Sequence, residues 1–428
     1  MTNKNNRAVP EEFVCIDCAA KFPVTECRYR CDCGALLAVQ RPLQLFTKVG
    51  ARTFDARYSD CGVGVAHQSG VWRFREFVMD VEDSDIVSHP EGRTRLYQRG
   101  SLSTYAGVNQ LYFKHEGENP TGSFKDRGMT VAVTHAKKLG MRRVVCASTG
   151  NTSASLASYA AQAGMDAWVM VPEGKISTAK LAQTLAYGAQ VVQVRGDFDA
   201  AMGLVEKAGA SLGMYVVNSV NPYRIEGQKT IIWEMLDDMN WAAPDWIVVP
   251  AGNLGNTSAF GKALQEAMRA GWIGKMPRIA SIQAAGANPF FRSFVGGFGA
   301  LERVQADTIA SAIRIGDPVN YSKAMVAIRE TKGVVEQVTD AEILEAKAAI
   351  DASGIGCEPA SAATLAGLIK LRQAGVIKPA ETVVCVLTGH ILKDPDAIVG
   401  SGKSRYFKRI HVIDPTLAAL EKLATKPL

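Results

Sequence analysis

One short segment, residues 119–128, holds the side chain of this sequence that is best suited to covalent chemistry. It reads Asn-Pro-Thr-Gly-Ser-Phe-Lys-Asp-Arg-Gly, so a turn delivers Lys125 to the start of a helix that we expect from about Asp126. A helix N-terminus disfavours a cation, and desolvation beside Gly122 and Phe124 lowers the pKa of the amine. Lys125 is therefore a candidate amine nucleophile toward an aldehyde, and the alternative is a surface lysine on a capped helix.

Two other segments directly follow predicted strands and favour the binding of an anion. Residues 147–154 read Ala-Ser-Thr-Gly-Asn-Thr-Ser-Ala, and their hydroxyl and backbone N–H groups suit a carboxylate or a phosphate. Residues 250–258 read Pro-Ala-Gly-Asn-Leu-Gly-Asn-Thr-Ser, where Gly252 and Gly255 let a phosphate approach the backbone at a helix N-terminus. The alternatives are a capped helix in the first segment and an ordinary strand-to-helix turn in the second.

A fourth segment, residues 387–396, follows the last predicted strand and reads Leu-Thr-Gly-His-Ile-Leu-Lys-Asp-Pro-Asp. The Thr388 hydroxyl at that strand's end can meet a heteroaromatic nitrogen, unless the segment is only a turn with solvated charges. Taken together, the turns at strand ends and the lysine favour a phosphorylated aldehyde cofactor. Its phosphate would lie on residues 252–256, Lys125 would reach the aldehyde, and a second anion site would remain for the substrate.

Buried strands that alternate with helices predict the architecture that positions these segments. The pattern starts near residue 100 and indicates parallel βαβ units, whose ligands gather at the carboxyl ends of the strands. The predicted strands are residues 143–147, 167–171, 191–194, 215–217, 246–249, 279–283 and 382–387. The predicted helices are residues 152–163, 179–187, 198–210, 226–239 and 259–269.

The N-terminal residues hold five of the nine cysteines. Cys15 and Cys18 have the two-residue spacing of a zinc knuckle, whereas Cys31 and Cys33 stand one residue closer than usual. These four thiols predict a small zinc ribbon with Cys27 spare, and the alternative is a knuckle-shaped relic without metal. Four thiolates leave no open coordination position, so we expect the module to be structural.

Length and composition bound the remaining possibilities. The chain has 428 residues, which allows two or three domains of about 150 residues each. The net charge is +6 and no block of five or more basic residues occurs, so we expect no nucleic-acid partner. We find no signal peptide and no run of about 18 apolar residues, which predicts no membrane span. Cys146, Cys357 and Cys385 are isolated in apolar segments as reduced thiols, which fits a cytoplasmic protein.

At these residues the sequence resembles the threonine synthase family, within the fold-type II pyridoxal-phosphate enzymes related to the tryptophan synthase β subunit. The shared motifs lie within residues 114–396 and are HEGENPTGSFKDRGM, CASTGNTSAS, VNSVNPYRIEGQKT, PAGNLGNTSAFG, SAIRIGDP, CEPASAA and LTGHILKDPD. The resemblance implies a two-lobed, open parallel-sheet α/β fold for the catalytic region, residues 43–428, with a smaller mobile lobe near residues 141–220. The zinc-ribbon-like module at residues 1–42 is set apart by its cysteines, and such a module occurs only in part of the family.

The resemblance also implies roles for individual residues. Lys125 would be the catalytic, Schiff-base lysine of pyridoxal 5'-phosphate. The other cofactor contacts would be Asn151 at the 3-hydroxyl, Thr388 at the pyridine nitrogen, and Gly252, Asn253, Leu254, Gly255 and Asn256 around the phosphate. Substrate contacts would be Ser148, Thr149 and Thr152 at the amino-acid portion or its phosphate, and Lys180, Asn218, Ser219 and Arg224 at the homoserine phosphate. The metal ligands would be Cys15, Cys18, Cys31 and Cys33.

The implied reaction is a β,γ-replacement that converts O-phospho-L-homoserine and water to L-threonine and phosphate. Lys125 would act as a general base at Cα, and the released phosphate, held by Lys180 and Arg224, could relay a proton to the water that adds at Cβ. The family also implies a homodimer. Leu254 and His390-Ile391 depart from the pattern of several relatives.

Three alternatives stay open. Cysteate synthase uses phosphoserine and sulfite in the same scaffold, and the cysteine knuckle occurs in those relatives too. A serine or threonine dehydratase would leave Lys180 and Arg224 without a phosphate to bind. A non-catalytic protein whose ribbon binds a partner is the third alternative, although the intact Lys125 and phosphate loop argue against it.

Overall fold

The computed structural model describes residues 11–42, 45, 49–59, 66–174, 178–395, 397 and 411–424, and the side chains of residues 178–180 lie outside that description. The chain divides into two compact units, Met1–Lys393 and Asp394–Leu428. The second unit contains one described helix, Leu417–Ala424, whose residues are largely exposed. Within the described residues, no helix combines the length and the hydropathy that crossing a bilayer requires.

The described strands form three sheets. They are β1 Glu12–Cys15, β2 Lys21–Pro23, β3 Leu37–Gln40, β4 Leu96–Gln98, β5 Gln110–His115, β6 Arg143–Ala147, β7 Asp166–Pro172, β8 Gln190–Val194, β9 Tyr215–Val216, β10 Trp246–Pro250, β11 Arg278–Ala284, β12 Val334–Val338 and β13 Thr382–Leu387. The sheet orders are β2-β1-β3, β12-β11-β10-β13-β5-β4 and β8-β7-β6-β9. The six-stranded sheet is parallel except at β4, and the four-stranded sheet is wholly parallel.

Helices of the unit Met1–Lys393 cover both faces of the two larger sheets. In chain order the described helices of the whole chain are α1 Arg52–Tyr58, α2 Arg75–Val78, α3 Gly100–Ala106, α4 Lys125–Lys138, α5 Asn151–Ala163, α6 Thr178–Ala186, α7 Phe198–Leu212, α8 Pro222–Gln228, α9 Thr230–Asp238, α10 Gly255–Arg269, α11 Pro289–Val295, α12 Tyr321–Glu330, α13 Asp340–Ala352, α14 Pro359–Gln373 and, in the second unit, α15 Leu417–Ala424. Because both faces are buried, the central strands are nearly continuous runs of valine and isoleucine, such as Trp-Ile-Val-Val-Pro in β10.

The cores on the two faces of the six-stranded sheet differ in their helices. One face packs α8, α9, α10 and α12, with Trp233 and Phe260 buried against Ile247. The other face packs α3, α13 and α14, with Leu365 buried against Val248. The four-stranded sheet likewise buries α4 and α5 on one face and α7 on the other. The carboxyl ends of the parallel strands are thereby left as the edge where a site can form.

The small antiparallel sheet β2-β1-β3 packs against elements of both larger sheets. Phe13 and Val39 are buried in the core beside α8 and α10. On one side the Lys323 ammonium of α12 donates to the Leu37 carbonyl at 2.6 Å. On the other side the Val216 N–H of β9 donates to the Tyr29 hydroxyl at 2.7 Å. The N-terminal module is therefore bonded to both parts of the molecule that surround the site.

The parallel α/β architecture expected from the sequence is confirmed, and each predicted strand corresponds to an observed one. The helix predicted at residues 226–239 is wrong in its bounds, because α8 begins at Pro222 and the helix is interrupted at Lys229. Strands β5 and β12 were not predicted. Strand β5 carries the buried charged residue Lys114 next to its last residue, His115, and β12 is only half-buried at the sheet edge, so neither has a clear apolar pattern.

Two glycines allow α4 and α8 to pack with their backbones in contact. A Cβ at Gly227 of α8 would lie 1.8 Å from the Arg127 carbonyl oxygen, and one at Gly128 of α4 would lie 3.0 Å from the Arg224 carbonyl oxygen. No side chain can occupy either space without a backbone shift. This contact brings Arg224, near the start of α8, beside the N-terminal end of α4.

We expect Gly227→Ala to lower the free energy of unfolding by about 1–3 kcal/mol or more, because the added methyl overlaps the α4 backbone. Gly203→Ala is the matched control, since Gly203 lies within α7 and a Cβ there would meet no atom within 4 Å. That control should gain roughly 0.5–1 kcal/mol from helix propensity. Urea unfolding measures both changes, and equal effects of the two substitutions would contradict the helix contact.

Candidate active site

Lys125 is the first residue of α4, and its side chain is half-buried. The ammonium nitrogen lies 4.1 Å from the centroid of the Phe124 ring. Desolvation by burial, followed by the nearby Arg224 charge, lowers the pKa of Lys125 well below its usual value, and the Glu358 carboxylate opposes this shift. A larger share of Lys125 is therefore the neutral, nucleophilic amine at neutral pH than for an ordinary lysine.

The turn before Lys125 is held by the Asp126 carboxylate. That carboxylate accepts from the Thr121 N–H at 2.7 Å, and from the hydroxyls of Thr121 and Ser155 at 2.6 Å each. The Phe124 N–H donates to the Thr388 carbonyl at 3.0 Å, which binds the turn to the end of β13. Proline and glycine in the sequence form the turn locally, and these bonds fix it against α5 and β13.

A buried ion network anchors the same helix two residues further on, at Arg127. The Arg127 guanidinium bonds both Glu116 oxygens, at 2.7 and 2.8 Å, and donates to Glu234 of α9 at 2.7 Å. Lys114 of β5 reaches the same Glu234 oxygen at 2.9 Å. All four side chains have no exposed area. The network ties α4, α9 and β5 together and so determines where Lys125 stands.

Arg224 of α8 is 2% exposed and carries unused hydrogen-bond donors. Its Nη1 donates to the Val217 carbonyl at 3.2 Å, while Nε and Nη2 have no hydrogen-bond partner among the described residues. Burial lowers the pKa of Arg224 to about 10, a value at which the guanidinium stays charged at neutral pH. A buried cation with free donors beside Lys125 is suited to an anion.

Segment 147–154 lies where β6 meets α5. Ser148, Thr149, Asn151 and Thr152 are all half-buried there, at the sheet edge. Ser148 accepts from the Gly150 N–H at 3.2 Å, and the Asn151 amide donates to Glu358 at 3.0 Å. Asn151 thus joins α5 to the segment before α14.

Asn218 and Ser219 follow β9, beside the segment that begins at Ala147. The Asn218 amide both accepts from the Ala147 N–H and donates to the Ala147 carbonyl, at 3.0 Å each. Asn218 thus extends the backbone pairing of β6 and positions the start of that segment. The Ser219 carbonyl accepts from the Asn320 amide at 3.2 Å, and that amide also donates to the Asn253 carbonyl at 3.3 Å. Asn320 thereby joins the loop after β9, which contains Asn218 and Ser219, to the loop after β10.

The loop after β10 has the form expected for a backbone anion site. Leu254 has φ +63°, a left-handed conformation, and immediately precedes α10 while its side chain is buried in the core. A Cβ at Gly252 would lie 3.0 Å from the Ile313 Cα, so the glycine allows a close approach of two segments. The first N–H groups of α10 have no intrahelical acceptors and face this loop. The Asn256 amide oxygen is buried without a partner in the described residues.

Thr388 lies at the end of β13 and is 4% exposed. Its hydroxyl lies 3.0 Å from that of Ser361 and 3.4 Å from a Glu358 carboxylate oxygen. Thr388 and Asn151 therefore meet the same Glu358 carboxylate, although they come from separate segments, and its charge also acts on Lys125.

The structure brings together most of the residues expected from the sequence, at the carboxyl ends of the strands. Lys180 lies in α6, and its side chain falls outside the described atoms, so its role stays a prediction. Glu358, Ser361 and Asn320 also belong to this site, although no sequence pattern predicts a role for them. Glu358 lies in the shared motif Cys-Glu-Pro-Ala-Ser-Ala-Ala, which is the signal that could have identified it.

Lys393 also proves to be more than a solvated charge. Its ammonium donates to the Thr121 carbonyl at 2.9 Å and to the Gln183 side chain of α6 at 2.6 Å. Burial lowers the pKa of Lys393, and the Glu358 and Asp126 carboxylates oppose that shift. The contact joins α6, which carries Lys180 three residues earlier, to the turn before Lys125.

The four predicted metal ligands form one cluster at the N-terminal module. The sulfurs of Cys15, Cys18, Cys31 and Cys33 all lie within 4.8 Å of one another. A hydrogen bond from the Cys18 backbone N–H is the main cause that lowers the pKa of Cys15 to about 6. A tetrahedron of Zn–S bonds of about 2.3 Å separates its sulfurs by about 3.8 Å, so the cluster has dimensions that fit zinc.

Comparison with known proteins gives a consistent result. The family described as "Pyridoxal-phosphate dependent enzyme" matches residues 87–389. The chain is 46% identical over 388 residues to the threonine synthase of Methanocaldococcus jannaschii, covering 90% of this chain and 93% of that protein. It is 45% identical to the threonine synthase of Methanosarcina acetivorans over the same shares of both chains.

Among solved structures, the threonine synthase of Escherichia coli aligns with a TM-score of 0.66 at 18% identity, covering 97% of this chain and 95% of that one. At that identity the likeness concerns the fold. The family assignment rests on the closer sequence relatives, whose identity extends over the whole region that builds the site. The chain belongs to the threonine synthase family of pyridoxal-phosphate dependent enzymes.

Proposed function

We propose that this chain is a threonine synthase that converts O-phospho-L-homoserine and water to L-threonine and phosphate by β,γ-replacement. The observation that carries the proposal is the pairing of Lys125 with Arg224. A half-buried amine of lowered pKa stands beside a buried guanidinium, two of whose nitrogens have no hydrogen-bond partner among the described residues. The site thus joins a nucleophile and proton carrier to a binding group for an anionic leaving group.

The residues of the site fit pyridoxal 5'-phosphate, which when bound supplies a conjugated ring that stores electrons during the reaction. Lys125 would carry it as a Schiff base. Residues 252–256 and the start of α10 would hold its phosphate, since the glycine and the left-handed Leu254 expose the backbone there. Asn151 would meet the 3-hydroxyl and Thr388 the pyridine nitrogen.

The protein's own groups would then divide the work of the reaction. Lys125 would take a proton from the substrate Cα and return it to a neighbouring carbon, because its lowered pKa favours the neutral base at neutral pH. Arg224 and Lys180 would hold the substrate phosphate and retain it after release. Ser148, Thr149 and Thr152 would orient the amino-acid portion, while Asn218 positions their segment through Ala147.

The rival reactions differ in what they form. Cysteate synthase would use phosphoserine and sulfite, and a dehydratase would release ammonia from serine or threonine. The free donors of Arg224 favour a phosphorylated substrate over a dehydratase substrate. Homodimeric assembly stays a prediction of the family resemblance, and a cytoplasmic location stays a prediction from the isolated, reduced cysteines.

Product analysis tests the reaction directly. The purified protein loaded with pyridoxal phosphate should release threonine and phosphate from phosphohomoserine, and Lys125→Ala should lose essentially all of this turnover, because its amine is both attachment point and base. Lys207→Ala, at an exposed position of α7, is the matched control and should keep the parental rate. Phosphoserine with sulfite, and threonine alone, are offered in parallel. Cysteate as the main product, or threonine from Lys125→Ala, would refute the proposal.

Arg224→Ala should lower kcat/KM for phosphohomoserine by about tenfold to a hundredfold, because a charge-assisted phosphate contact is worth roughly 1.5–3 kcal/mol. Inorganic phosphate should inhibit the parent more strongly than the variant. The visible absorbance of bound cofactor should persist in the variant. Arg195→Ala, whose side chain is 93% exposed, controls for loss of positive charge. Normal turnover by Arg224→Ala would remove Arg224 from the substrate site.

We also propose that the cysteine cluster binds one structural zinc ion. The support is its four mutually close sulfurs, whose separations fit a tetrahedral site of four thiolates. The metal would hold the module from which Tyr29 and Leu37 bond to β9 and α12. Its role would be stability, since no coordination position remains open.

Elemental analysis should find about one zinc per chain by the four-ligand rule. Cys18→Ser should lose the metal and unfold at a lower temperature, whereas Cys27→Ser should keep it, because Cys27 lies outside the cluster and contacts Tyr29 at 3.2 Å. Thermal unfolding with and without a chelator checks the stability effect. A metal-free parent of full stability would favour the relic alternative.

A further inference from the structure

Glu358 occupies the centre of the site, yet neither the reaction above nor the cofactor contacts use it. It directly precedes α14 and is 3% exposed. At this helix-capping position its side chain makes no capping hydrogen bond. The carboxylate instead points to the two side chains expected at the cofactor ring, Asn151 at 3.0 Å and the Thr388 hydroxyl at 3.4 Å. A buried carboxylate is costly, so its place here calls for a role.

The end of β13 is shaped around this carboxylate. A Cβ at Gly389 would lie 2.4 Å from the Glu358 Cδ, so only a glycine lets the strand end pass so close. The Glu358 N–H donates to the Gly389 carbonyl at 3.1 Å, and the Ser361 hydroxyl accepts from the Gly389 N–H at 3.1 Å. The backbone thus holds the carboxylate in one place relative to Thr388.

The Glu358 contacts determine the orientation of the Asn151 amide and of the Thr388 hydroxyl hydrogen. An ionised carboxylate only accepts hydrogen bonds, so the Asn151 amide must present its NH₂ group to Glu358. The second hydrogen of that NH₂ group remains for another acceptor. Likewise, a Thr388 hydroxyl that donates toward the carboxylate keeps its oxygen lone pairs for a donor in the site.

We propose that Glu358 is a positioning residue for the cofactor, which orients the Asn151 amide toward the 3-oxygen and the Thr388 hydroxyl toward the ring nitrogen. This inference rests on the proposed function, because it assumes the pyridoxal-phosphate site described above. The carboxylate also opposes the lowered pKa of Lys125, so it contributes negative charge beside the cations Lys125 and Arg224. A purely structural glutamate at the start of α14 is the rival explanation.

Cofactor titration of the apoprotein separates the two explanations. Glu358→Gln keeps the shape of the side chain and removes its charge. Because the glutamine amide can both donate and accept hydrogen bonds, it no longer restricts Asn151 and Thr388 to one orientation. The variant should bind pyridoxal phosphate about tenfold to a hundredfold more weakly, as expected for lost charge-assisted hydrogen bonds. The ratio of the visible absorbance bands of the loaded protein should change as well. Glu336→Gln, on β12 beside Lys370, is the matched control and should leave both readouts at parental values.

A double-mutant cycle shows whether Glu358 acts through Asn151. In an Asn151→Ala background, Glu358→Gln should cost less than about threefold in cofactor affinity, because coupled residues are not additive. Additive losses, or an unchanged band ratio in Glu358→Gln, would overturn the proposal. If Glu358→Gln does not fold, Glu358→Asp enters the same cycle, since it keeps the charge and loses the reach. A parent that binds no pyridoxal phosphate would refute the proposed function instead.

Discussion

The arrangement of this site depends on a buried ion network centred on Arg127. The guanidinium is shared between Glu116 and Glu234, and Lys114 adds a second cation to the same Glu234 oxygen. None of these side chains has exposed area, so removal of one partner would leave an uncompensated buried charge, which typically costs about 3–5 kcal/mol. Such a network permits few alternative arrangements of α4. Lys125, two residues earlier, inherits its position from that constraint.

The same packing creates the electrostatics of the site. The glycine contact between α4 and α8 places Arg224, which is almost fully buried, beside the half-buried Lys125. Low solvation lowers the pKa of the lysine and leaves the guanidinium with unused donors. Low solvation therefore favours both the neutral amine of Lys125 and the binding of an anion at Arg224. The Glu358 carboxylate opposes the lowered pKa of both Lys125 and Lys393.

The N-terminal module connects this site to the rest of the molecule in a different way. Tyr29 bonds to β9, which leads into Asn218 and α8, while Leu37 bonds to Lys323 of α12. His135 of α4 also bonds the module, since its ring nitrogen lies 2.8 Å from the Val24 carbonyl. A module that stabilises these contacts supports the segments around the site without contributing a reacting group.

The sequence by itself determined the local features. Proline and glycine predicted the turn before Lys125, alternating apolar runs predicted the parallel sheets, and the cysteine spacing predicted a cluster whose sulfurs do converge. These features depend on near neighbours along the chain, so their pattern is visible without a fold. Only the tertiary structure decided the contacts of Glu358, the link through Asn320, and the strands β5 and β12. Asn151 and Glu358 are 207 residues apart, and Lys114 reads as a surface charge until Glu234 is found beside it. Local periodicity carries no information about such distant partners, and partners are what make a buried polar group stable.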